Sequence, residues 1–66
     1  MLGQKIKELR QKKGLSCSEL ARRSGHPVSS VHGLETGEIK NPRFQIICDL
    51  SDVLEISLDE LKKELP

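Results

Sequence analysis

Sixty-six residues, with eleven basic and ten acidic side chains and a net charge of +1, leave room for one domain spanning residues 1–66, close to the lower size at which a core alone holds a fold. One aromatic, Phe44, and no Trp or Tyr require a core of Leu, Ile and Val. No apolar run approaches the roughly 20 residues of a membrane span and no signal-peptide pattern opens the chain, so a cytoplasmic protein without a membrane partner is expected.

Helical spacing recurs along the chain and strand alternation does not, which predicts an all-α fold. Leu2, Ile6 and Leu9 fall at i, i+4 and i+7 on a first helix that stops at Gly14. Ser16, with Glu19 three residues on, is a capping-box pattern: the hydroxyl accepts from one free amide while the carboxylate reaches back to another. It opens a second helix that buries Leu20 and Ala21 and ends at Gly25.

Pro27 suits the first position of a third helix, with Val31 and Leu34 inward and Gly37 just past its end. The rest of that helix is bare. Val28, Ser29, Ser30, His32 and Gly33 include no long charged side chain, and a mid-helix glycine costs about 1 kcal/mol against alanine. Asn41-Pro42 reopens the chain into a fourth helix with a predicted apolar face of Phe44, Ile47, Cys48, Ser51 and Leu54. Ser57 with Glu60 predicts a second capping box, starting a last helix that buries Leu58 and Leu61.

Charge is unevenly spread. Residues 1–43 carry nine cations and four anions, whereas residues 44–66 carry two cations and six anions. A basic front and an acidic back orient such a domain toward a polyanion. Cys17 and Cys48, without CxxC spacing or paired histidines, read as free thiols, so no metal or cofactor is expected. No Ser or Cys has a base at a suggestive spacing, and no catalytic activity is expected.

Helices two and three are joined by a turn too short for an antiparallel pair, so they must cross steeply, as in a helix-turn-helix over about residues 16–36. Such a crossing needs a small residue at the contact, a glycine in the turn and branched apolar plugs. Ala21, Gly25, Val31 and Leu34 supply these in order.

On these residues the chain resembles the Cro/repressor (XRE) family of five-helix, lambda-repressor-like DNA-binding domains. The run LSCSELARRSGHPVSSVHGLETGEIKNP, followed by ISLDEL, carries the likeness. The opening MLGQKIKELRQKKG and the wide ETGEIKNP loop are most similar to the SinR type of Gram-positive repressors. The resemblance implies a transcriptional repressor that places helix three (about 27–36) in the major groove of a two-fold symmetric double-stranded DNA operator, as a homodimer. It implies base-facing positions at Pro27, Val28, Ser29, His32 and Gly33, and phosphate contacts from Ser16, Cys17, Ser30, Lys40 and Arg43. Family members usually carry Gln where this chain has Cys17. Arg10 and Glu35 match a structural ion pair of lambdoid phage repressors, and Ile56 and Leu58 match the dimer contact. A longer SinR-like regulator would also meet an antagonist protein. The alternative function is a protein-interaction module that keeps the fold with little affinity for DNA.

Overall fold

The computed structural model describes residues 1–65. Five α-helices follow one another: α1 (Leu2–Lys12), α2 (Cys17–Ser24), α3 (Val28–Thr36), α4 (Phe44–Leu54) and α5 (Leu58–Lys62). Three glycines punctuate them. Gly14, Gly25 and Gly37 take φ of 71°, 76° and 88°, the left-handed region in which a side chain is strained.

Helix α2 begins with the predicted capping box. The Glu19 amide donates to Ser16 Oγ (3.0 Å) and the Ser16 amide donates to Glu19 Oε1 (2.9 Å). These bonds hold the Glu19 carboxyl below its ordinary range, the backbone amide of Ser16 contributing most. The second expected box does not form: Ser57 caps α5 through its backbone alone. Glu60 turns instead toward Lys5 (3.7 Å) and Lys63 (3.8 Å), cations that compete for the carboxylate.

The core is aliphatic, and Ile6, Leu20, Val31, Leu34, Ile47, Leu50 and Leu61 are fully buried at its centre. Helix α2 packs on α3 and α4, α1 on α3 and α5, and α4 on α5. The buried face of α4 is rotated from the predicted one. Ile46 and Leu50 lie inside with Ile47, Ser51 and Leu54, while Phe44 is 61% exposed and Cys48 only half-buried. Phe44 is the first residue of α4, where a side chain has left the packing that begins at Ile46. Leu58 is likewise half-buried against the core rather than enclosed by it.

Gly3 was no part of the predicted contacts, yet it sets how closely α1 meets α3. A Cβ there would run into the backbone carbonyl oxygens of Leu34 and Glu35. Only hydrogen fits at that crossing. Glu55 is a second local surprise: it caps α4 with φ of 56°, and Lys13 Nζ holds its carboxylate at 2.7 Å, lowering the carboxyl pKa.

Candidate nucleic-acid interface

The turn between α2 and α3 spans Gly25–Pro27 and is closed by its own backbone. The His26 amide donates to the Ala21 carbonyl (3.0 Å) and the Gly25 amide to that of Arg22 (3.3 Å). Pro27 is the N-cap of α3 and not its first helical residue, because its ψ of 145° is still extended. Its carbonyl nevertheless accepts the first backbone hydrogen bond of the helix, from the Ser30 amide (3.0 Å). His26 Nε2 meets Asp49 Oδ2 at 2.7 Å, tying the turn to α4, and Gln45 donates to the other oxygen of Asp49.

Helix α3 is held from one side. Val31 and Leu34 are buried, and Arg10 clasps Glu35 from α1 with two hydrogen bonds, Nε to Oε2 (2.7 Å) and Nη2 to Oε1 (3.0 Å). The two side chains are 13% and 6% exposed, which removes the solvent screening that weakens surface pairs. A third bond, from Arg10 Nη1 to the Leu15 carbonyl (2.9 Å), fixes the loop before α2 in the same clasp. The carboxylate of Glu35 raises the pKa of the guanidinium further.

The opposite side of α3 is free. Pro27, Val28, Ser29 and His32 are exposed, and Ser30 is half-buried. Gly33 is different. It is buried, covered by Ile39 from the following loop, so it presents no open surface of its own. A Cβ on Gly33 would stand 2.8 Å from Ile39 Cδ1. The space a side chain at position 33 would take is held by the end of the Ile39 side chain.

Around this face lie the other candidates. Lys40 and Arg43 are exposed, and the ion pairs among the described residues include neither of them. Ser16 is exposed at the start of α2, its hydroxyl oxygen already accepting from Glu19. Cys17 is half-buried against the core, and that burial raises the pKa of its thiol. A thiol held neutral and partly inside contributes little to anion binding, which leaves the amides at the helix start. Ile56 and Leu58 lie together at the junction of α4 and α5, each half-buried and packed partly against the core. No helix of the described residues is long and apolar enough to cross a membrane, and no group of three His, Cys, Asp or Glu among them converges as a metal site.

Two helices crossing through a three-residue turn, the second with one face buried and the other bare, define a helix-turn-helix. The chain belongs to that family: residues 6–61 match HTH_3, helix-turn-helix. More particularly, it is similar to the HTH-type transcriptional regulator SinR. The identity is 39% over 64 residues with the proteins of Bacillus licheniformis and Bacillus subtilis (strain 168), covering 97% of this chain. The chain spans 58% of the length of either relative. In structure it matches the N-terminal DNA-binding domain of SinR from Bacillus subtilis with a TM-score of 0.92, at 97% coverage of this chain and 93% of that one. It also matches SinR solved in complex with DNA, described as the master regulator for biofilm formation. There the TM-score is 0.90 and the identity 39%, with 94% of this chain and 98% of that one covered.

Proposed function

We propose that this domain is a sequence-specific, double-stranded DNA-binding transcriptional regulator acting in the cytoplasm, with no enzymatic activity, and that it works as a repressor. The observation that carries the reading is the division of labour on α3. Its inner residues are fully engaged by the core and by Arg10, while Val28, Ser29 and His32 are left without structural duty on the outer face. The likeness to a SinR chain bound to DNA supports the same orientation.

In this reading α3 enters the major groove. Val28 touches a thymine methyl, Ser29 bonds a base edge, and His32 donates to guanine N7 or O6. Pro27 sets the start of the helix against the base edges. Ser16, Ser30, the amide of Cys17, Lys40 and Arg43 hold the phosphates on either side. With no Arg or Gln on α3 for a bidentate contact, one domain specifies little, and two copies meeting through Ile56 and Leu58 on adjacent half-sites supply the rest. The SinR protein/SinI protein complex among the structural matches supports an antagonist protein as a further partner of a longer chain.

Mobility shifts at two salt concentrations test the reading. Binding should weaken steeply with salt, and Lys40→Ala or Arg43→Ala should each flatten the slope by about one unit while lowering affinity for all sequences alike. Binding that ignores salt would transfer the domain to the protein-interaction class. Ile56→Glu should remove cooperativity on a paired site and leave a single half-site unaffected. Equal affinity per half-site in both DNAs would reject the dimer.

A further inference from the structure

The gap at the centre of α3 is filled from outside the helix. After Gly37 the chain doubles back, and the Ile39 amide donates to the Gly33 carbonyl at 3.0 Å. The Ile39 side chain then occupies the place into which a residue-33 side chain would grow: an ideal Cβ on Gly33 would lie 2.8 Å from Cδ1 and 3.0 Å from Cγ1. Position 33 is one turn beyond Ser29 on the same helical row, and Ser29 is exposed. Ile39 itself keeps 37% of its surface in solvent. It also lines two surface grooves beside α3, one with Ser30, Asn41 and Arg43 and the other with Gly37 and Lys40.

Resting on the DNA-binding reading, we propose that Ile39 is a specificity-determining residue, a loop-borne substitute for the side chain that α3 lacks at Gly33, and that it recognises the 5-methyl group of a thymine. The chemistry follows from the side chain. Isoleucine has no hydrogen-bonding group, and the apolar feature on a base edge in the major groove is the thymine methyl. The placement follows from the backbone: the Ile39–Gly33 hydrogen bond fixes the loop to α3, and Lys40, the next residue, is exposed for the phosphate beside it. A helix with short side chains admits the loop tip to a depth that a long side chain at position 33 would block.

A pool of random-sequence duplexes selected by the parent domain gives a consensus duplex. Each thymine of it is then replaced singly by uracil, which pairs identically and lacks the methyl. Besides the thymine that Val28 meets, the parent should lose about fourfold in affinity at one further thymine per half-site, the worth of one buried methyl. Ile39→Ala should bind the unmodified duplex more weakly by a similar factor and be indifferent to uracil at that thymine. Lys40→Ala should keep the full sensitivity there. Ile39→Val, which removes Cδ1 and keeps Cγ1 over Gly33, should fall between, with far-UV circular dichroism verifying the fold of each variant. If Ile39→Ala and Ile39→Val keep the parent's sensitivity at every thymine, or if no thymine is sensitive in the parent, Ile39 only covers the core and the proposal falls while DNA binding stands. A parent domain that enriches no sequence and shows no salt-dependent binding overturns both.

Discussion

The two faces of α3 share one backbone and differ in what engages them. Inward lie Val31 and Leu34, with Glu35 locked to Arg10; outward lie Val28, Ser29 and His32, exposed. The inner face fixes where the helix is and the outer face is left to act. A nine-residue helix with a glycine at its centre is marginal by itself, so its order comes from the inner contacts, and the outer residues need contribute nothing to stability.

Substitutions on the inner face should therefore show large effects on stability, and substitutions on the outer face should show almost none. Leu34→Ala removes a side chain that is 2% exposed and should cost about 2–5 kcal/mol, read as a fall in the urea midpoint. Gly3→Ala acts from the facing helix: its Cβ meets the carbonyl oxygens of Leu34 and Glu35, backbone atoms that cannot step aside. The cost should be about 1–3 kcal/mol, the range for overpacked contacts, against the gain that alanine normally brings to a helix. An unchanged or raised midpoint for Gly3→Ala would mean that α3 is not held by that crossing. On the outer face, His32→Ala should leave the midpoint within about 0.5 kcal/mol, as surface changes do, while altering preference among DNA sequences. A uniform loss for every sequence would move His32 into the phosphate class, and a destabilised fold would erase the distinction between the faces.

Helix boundaries were legible because they are written in local chemistry. Gly14, Gly25 and Gly37 stand where a left-handed residue is required, and Ser16 with Glu19 closes a capping box within four residues. Ser57 with Glu60 repeats that spacing and fails, because Lys5, more than fifty residues earlier in the chain, and Lys63 draw the carboxylate away. The spacing is local and the competitor from α1 is not.

The same contrast explains α4. Apolar residues stand at 44, 46, 47, 48, 50, 53 and 54, so much of the circumference that period alone does not choose a face. Packing against α2 and α5 selects Ile46 and Leu50 and leaves Phe44 outside. Gly3 gave no signal, since the carbonyls it must clear belong to residues 34 and 35. At the candidate site, the helical period places Val31 and Leu34 inward and the family resemblance implies which residues of α3 face out, whereas the burial of Gly33 depends on a loop that returns from position 39, a fold-back that neither encodes.

The position of Phe44 has a spectroscopic consequence. The core contains no ring, and the single aromatic of the chain stands 61% exposed at the start of α4, beside Arg43. Near-ultraviolet signals will therefore be nearly blind to unfolding of the interior. A Phe44→Trp variant would introduce one indole outside the core, next to a cation proposed to meet phosphate. Its emission should report the arrival of DNA far more than the loss of the fold, giving an optical handle on binding that is separate from stability.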